Sequence, residues 1–247
     1  MDRGAFQAWL ERYVDAWRLL DPAAIGDLFS IDVRYAYDPN TRRLCGLTTA
    51  KGTPNTGCRT VANTPTVEAN AIQALAYQYD NVGNILGLQN QIPVPAPSQY
   101  GGPTNQAFKY DDLYRLTNAA GSFKFNPNKE RTYRLDLAYD TIHNIVSKQQ
   151  SDVLTQPSGT PITQKKTSYA WTYTYAPSGN TSVRPHAPTH IGERAYTYDA
   201  NGNQLGWEHD QNGTRRTIVW DDDNRIQSIF DNGHEKTYQY DDQGNRI

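Results

Sequence analysis

The sequence has one methionine, two cysteines and five histidines in 247 residues, and neither sign of charge prevails, with 24 Lys and Arg against 26 Asp and Glu. That balance lacks the basic footprint with which a nucleic-acid binder neutralises phosphates, so no nucleic acid is expected as a partner. No apolar run approaches the roughly 18 residues of a membrane helix, and no membrane span is expected. Asp2, Glu11, Arg12 and Asp15 interrupt any apolar stretch near the start, so no secretory leader is legible. The histidines are scattered, and HExxH, GxSxG and phosphate-binding glycine loops do not occur. The acidic residues fall in turn-like contexts rather than in pairs suited to acid–base work. The chain therefore reads as a non-enzyme, with no catalytic residue, no cofactor-binding residue and no metal ligand.

Three features tempt a sharper reading. Asp199-Ala-Asn201-Gly202-Asn203 and Asp221-Asp222-Asp223 resemble parts of a calcium loop. An EF-hand loop needs Gly at its sixth position and Glu at its twelfth, whereas Gly202 comes fourth and Asp210 twelfth. His186 and His190 share the Pro-rich stretch Arg184-Pro-His-Ala-Pro-Thr-His190, which reads as an exposed loop rather than a metal site. Cys45 and Cys58 flank a Gly/Thr/Asn-rich segment and read as two isolated thiols, although a hairpin disulfide is geometrically open to them.

What the chain has in quantity is tyrosine, 17 residues, beside 18 glycines and 14 prolines. Tyrosine suits half-buried pleated surfaces, while Gly, Pro, Asn and Asp suit turns. An apolar fraction of 37% is too low for a thick core and fits a thin sheet with one aromatic face. Only the start differs. Phe6, Trp9, Leu10, Tyr13, Val14, Trp17 and Leu20 recur at helical spacing, and Asp21-Pro22 restarts a short helix as N-cap and first helical residue. The expected division is a helical segment over 1–34 and a β region over 35–247.

An aromatic-x-aromatic-Asp signature recurs along the β region. It appears as Tyr35-x-Tyr37-Asp38, Tyr77-x-Tyr79-Asp80, Phe108-x-Tyr110-Asp111, Tyr196-x-Tyr198-Asp199 and Tyr238-x-Tyr240-Asp241. Degenerate copies are Leu137-x-Tyr139-Asp140, Tyr173-x-Tyr175-Ala176 and Ile218-x-Trp220-Asp221. Gly83-Asn84, Gly179-Asn180, Gly202-Asn203 and Gly244-Asn245 follow at four and five residues from the tyrosine. The two rings lie on one strand face. The Asp bonds backbone N–H groups ahead of it, and the Gly or Asn takes a left-handed conformation after a type I turn. Each unit of about 20 residues is too small to bury its aromatic face alone, so the units stack.

Tyr-x-Tyr-Asp-x-x-Gly-Asn resembles the YD repeat of RHS proteins, teneurins and the C components of insecticidal Tc toxins, over residues 35 to 247. The resemblance implies a mainly β fold, with antiparallel hairpin repeats forming an open, curved sheet that is part of a hollow shell. It implies a structural segment of a toxin-encapsulating shell, with the remainder of that shell and its toxin cargo as partners. Secretion or cell-surface display would follow, by a route without a visible signal peptide. The Arg-rich self-cleavage core of such shells is absent, so the chain is expected to lie upstream of it, too short to enclose a cargo and prone to self-association alone. Two other readings are a carbohydrate- or surface-binding module working through exposed Tyr and Trp, and a pocket protein. The latter rests on residues 6 to 38, which resemble the start of SnoaL-like proteins through Trp9, Tyr13, Trp17, Asp21-Pro22, Leu28-Phe29 and Asp32. Against the first stands ring packing across strands, which buries more of each ring than an open contact.

Overall fold

The computed structural model describes Glu11 and residues 31–51, 57–59, 67, 71–96, 101–177, 179 and 183–247. Among these, only Glu11 is helical, and the other described residues form antiparallel β-structure with turns. The helical stripe over residues 5 to 20 otherwise lies outside the described residues. Of the SnoaL-like stretch, Glu11 and residues 31–38 are described.

The strands are β1 (Ile31–Tyr37), β2 (Leu44–Lys51), β3 (Ala71–Tyr79), β4 (Ile85–Asn90), β5 (Thr104–Tyr110), β6 (Leu116–Asn126), β7 (Lys129–Tyr139) and β8 (Ile145–Thr155). After these come β9 (Pro161–Thr163), β10 (Tyr169–Tyr175), β11 (Pro188–Ile191), β12 (Arg194–Tyr198), β13 (Gln204–His209), β14 (Arg215–Trp220), β15 (Ile226–Asp231) and β16 (His234–Thr237). Hydrogen-bonded neighbours follow chain order throughout, except that β10 pairs with β8 while β9 joins β8 off the path. Such a meander is the topology expected of hairpins added one after another.

The chain divides into two compact units, residues 1–135 with 151–168, and residues 136–150 with 169–247. In the first, strands reach 11 residues and the connections after β2 and β4 are long. In the second, β12 to β15 are five or six residues each and the hairpins are tight.

Among the described residues a thick core is missing. Among the described residues every buried apolar side chain is an alanine: Ala36, Ala50, Ala74, Ala76 and Ala119. The aromatic rings are mostly half-buried, consistent with one sheet layer bearing a ring-covered face. The hairpins that close at Tyr37, Tyr79, Tyr110, Tyr175, Tyr198 and Trp220 carry the same irregularity, a register shift at that aromatic residue. Gln78 and Tyr79 face Gly87 and Ile85, Lys109 and Tyr110 face Asn118 and Leu116, and Val219 and Trp220 face Ser228 and Ile226. One extra residue therefore sits on each return strand, a bulge that bends the strand and increases its twist.

The reading of Cys45 and Cys58 as isolated thiols is corrected. Residues 57–59 fold back on β2, bring the two Cα atoms to 5.0 Å and place the sulfurs in a disulfide. Spacing in the chain does not reveal a fold-back of this kind.

Candidate functional site

The repeated feature of the molecule is the turn. In six copies, headed by Asp80, Asp111, Asp140, Asp199, Asp221 and Asp241, three bonds recur. The Asp N–H donates to the carbonyl of the fourth residue on, at 2.8–3.0 Å. The Asp Oδ1 accepts the N–H of that same residue, at 2.7–2.9 Å. The Oδ2 accepts that residue's side chain, from Asn84, Asn144, Asn203 and Asn245 through Nδ2 and from Arg115 and Arg225 through Nε, at 2.8–3.1 Å. Asn and Arg are thus interchangeable here because each presents one N–H to the same oxygen.

The residue three after the Asp is left-handed in every one of these copies. It is Gly83, Gly202 or Gly244 in three of them, but Tyr114, His143 or Asn224 in the others, with φ of 61°, 71° and 59°. The Asp38 turn is one residue longer, with Arg42 left-handed and Asp38 Oδ1 accepting the N–H groups of Asn40 and Thr41. The fifth copy departs. Ala176 stands where the Asp would be, leaving no carboxylate to collect N–H groups, and Gly179 is not left-handed.

These bonds set the electrostatics of the row. The Arg115 N–H holds the Asp111 carboxyl below the usual carboxylate range, as the Arg225 N–H does for Asp221 and the Asn245 side chain for Asp241. At Asp80, Asp140 and Asp199 desolvation pushes upward, but the bonds from Asn84, Asn144 and Asn203 outweigh it and the result is again a lowered value. Carboxylates saturated in this way by amide and guanidinium donors are structural acceptors.

The second recurrent feature joins one hairpin to the next. Tyr110 Oη donates to the Ile85 carbonyl, Tyr175 Oη to Ile145, and Tyr240 Oη to Ile226, each at 2.9 Å. Trp220 Nε1 does the same to the Gln204 carbonyl at 2.8 Å. In all four the acceptor is the fifth residue after the preceding turn's Asp, where the return strand begins. Tyr198 follows the irregular fifth copy, and its hydroxyl reaches Pro188 instead, at 3.0 Å. Of the remaining signature aromatics, Tyr37 is exposed at the end of β1, Tyr79 lies under the Arg43 guanidinium, 5.7 Å from the ring centre, and Tyr139 is half-buried at the end of β7. Burial pushes the phenols of Tyr110, Tyr175 and Tyr198 upward, which keeps them protonated as donors.

Close ring pairs run along strands: Tyr77 with Tyr79, Phe123 with Phe125 at 4.4 Å between ring centres, and Tyr169 with Trp171 at 4.0 Å. In the copies above, the cross-strand link is the polar tip.

The turns also reach one another. Arg43 donates to the carbonyls of Asp80 and Asn81, Arg184 to that of Asp199, and the side chains of Asn201 and Asn203 to Asn224 Oδ1. Asn144 donates to the Pro185 carbonyl and accepts from His186 Nδ1 at 2.8 Å, which uses this exposed histidine as a turn link. His190 lies 3.9 Å from Asp210, and no group of three or more potential metal ligands occurs among the described residues.

Several of these contacts escaped the sequence reading. The signal for the tyrosine link was present, because the second aromatic position holds Tyr or Trp in all eight copies while the first admits Phe, Leu and Ile. The tight turn at Asn232-Gly233, with φ of 49° and 90°, carries the Asn-Gly signature of a two-residue hairpin. Nothing in the sequence announced the Asp152 cluster. There a carboxylate whose side chain is 5% exposed accepts from Arg131 Nε at 2.8 Å and Thr167 Oγ1 at 2.5 Å, across 21 and 15 residues.

Known proteins show the same arrangement of sequence. The family model described as Teneurin YD-shell matches residues 24–247. "Toxin subunit YenC2" of Yersinia entomophaga is 29% identical over 157 residues, which are 62% of this chain and 13% of that protein. The chain thus spans about an eighth of that relative's length. With nine-tenths of its length matched and its described residues built as antiparallel hairpins, the chain belongs to the Teneurin YD-shell family and is a structural shell segment.

Proposed function

We propose that this segment contributes wall to a shell that encloses a toxin, with the remaining repeats of that shell and the enclosed cargo as its partners, in a protein that acts outside the cell that makes it. The observation that carries the reading is the hydroxyl-to-carbonyl link from Tyr110, Tyr175 and Tyr240 to the start of the previous return strand. A hairpin locked to its predecessor in a fixed register extends a wall by one unit, and the carboxylates of the turns are consumed in holding that unit. The wall itself performs no reaction in this reading. The division into a helical lead over residues 1–34 and a wall over 35–247 belongs to the same proposal.

A wall segment taken by itself presents strand edges and ring-bearing faces that neighbouring repeats would cover. The isolated chain is therefore expected to self-associate. Size-exclusion chromatography with light scattering over a concentration series tests this. A concentration-independent monomer with a sharp, cooperative melt would count against the segment reading.

A further inference from the structure

We infer that the Cys45–Cys58 disulfide is a thiol-exchange site whose reduction releases residues 57–59 from the face of β2. The strap lies in backbone contact with the sheet. A Cβ added to Gly46 would stand 3.1 Å from the Gly57 carbonyl oxygen, 3.4 Å from the Arg59 nitrogen and 3.6 Å from the Ala36 side chain. A Cβ at position 46 would require the strap backbone to give by a few tenths of an ångström. Beside Gly46 the same face carries Thr48 and Ala50, 2% and 0% exposed. Arg59 runs along it, 6% exposed, and donates from Nε and Nη2 to Thr48 Oγ1 at 3.2 and 3.1 Å.

The disulfide and the Arg59–Thr48 hydrogen bonds both hold the strap down. The covalent one is open to attack, because Cys58 is exposed while Cys45 sits half-buried on β2. Exposed disulfides are the ones that exchange readily. A dithiol reductant supplies the electrons. Its thiolate attacks Cys58 Sγ, the bond to Cys45 breaks, and Cys45 leaves as a thiolate that takes a proton from water. The second thiol of the reductant then displaces Cys58, which also leaves as a thiolate and is protonated. The reductant ends as its own disulfide, two electrons poorer. The protein ends with two thiols, and non-covalent contacts such as Arg59–Thr48 are left to hold the strap.

Trypsin reads this directly, since it must take the Arg59 side chain into its own pocket to cut the following bond. With the full chain and a dithiol such as dithiothreitol, cleavage after Arg59 is expected to accelerate at least about tenfold. Cleavage after the exposed Lys165 and Lys166 serves as the internal reference and is expected to stay within about twofold. Maleimide labelling confirms that both thiols are free. The Cys45→Ser/Cys58→Ser double variant is expected to match the reduced chain without reductant. Should that variant fail to fold, reduced and alkylated wild-type chain takes its place. Thr48→Val with the disulfide intact is expected to give a smaller acceleration at Arg59. Equal cleavage after Arg59 in oxidised and fully reduced chain would overturn the inference. So would an acceleration shared equally by Lys165 and Lys166, which would mean general loosening rather than release of a strap.

Discussion

The two units of this chain use one turn and one interstrand link, yet build differently around them. In the unit of residues 1–135 and 151–168 the turns at Asp80 and Asp111 hold strands of up to 11 residues, and a disulfide and an ion-paired cluster at Asp152 supplement them. In the unit of residues 136–150 and 169–247 the same turn recurs at Asp199, Asp221 and Asp241, only 22 and then 20 residues apart, on strands about half as long. The difference teaches which parts of a repeat are fixed. Strand length and connection vary freely, while in the six regular copies the Asp, the left-handed third residue, the closing Asn or Arg and the donor-tipped aromatic stay in place. A repeat in this family is therefore a corner with a latch, and the strands between corners are adjustable.

The largest effect is expected where the regular unit brings backbones closest. Gly206 on β13 has φ of 146°, and a Cβ there would stand 1.9 Å from the Arg216 carbonyl oxygen on β14. A backbone atom cannot swing aside as a side chain can. Gly206→Ala is expected to destabilise by about 3–5 kcal/mol, the exceptional end of single substitutions. Gly202 has open space around it and only its left-handed φ of 91° to defend. Gly202→Val should cost about 1–2 kcal/mol and Gly202→Asn less. Denaturant titrations of the three variants check the ranking, and equal losses would remove the distinction between crowding and backbone strain.

Acidification tests the corners of both units at once. Their carboxyls have folded values below the ordinary Asp value of about 4. A depressed folded value means that the unfolded chain binds protons first as pH falls. The contribution is complete above about pH 4 and is lost as pH drops from there through the folded values. Thermal melts between pH 7 and 2 should show a plateau and then a steep decline. Asp111→Asn and Asp221→Asn should each flatten that decline, one in each unit. A decline that begins near pH 6 would mean that these carboxyls do not govern the transition.

The fold class was legible in the sequence because a period-two aromatic pattern and a turn signature at fixed offset are both local. The corner was legible for the same reason, since Asp80 and Gly83 stand three residues apart. What stayed hidden joins residues distant in the chain. Tyr110 and Ile85 are 25 residues apart, Asp152 and Arg131 are 21, and Cys45 and Cys58 meet only because the strap folds back. The link at Tyr110 was readable in one respect only, the exclusion of Phe from the second aromatic position. Tyr110→Phe in one unit and Tyr240→Phe in the other should each cost about 0.5–1.5 kcal/mol, because a partly buried carbonyl loses its donor. Tyr196→Phe, at a first aromatic position, should be nearly neutral. If the two latch variants differ by more than the error of the titrations, the latch is not common to both units.

The smallest expected effect is a gain, and it separates corner strain from corner chemistry. Tyr114 holds φ of 61° in the Asp111 corner, where Gly83 and Gly244 fill the equivalent place in their own corners. A left-handed conformation costs an L-residue about 1–2 kcal/mol. Glycine avoids that cost but gives up more backbone freedom on folding, about 0.5–1 kcal/mol. Tyr114 is 60% exposed, so little packing is lost with its side chain. The corner's own bonds, from Asp111 to the Tyr114 and Arg115 N–H groups and to Arg115 Nε, do not involve the Tyr114 side chain. Tyr114→Gly should therefore stabilise by a few tenths to about 1 kcal/mol, seen as a raised denaturant midpoint at unchanged slope. A loss of more than about 0.5 kcal/mol would show that the exposed ring does work the corner geometry does not account for.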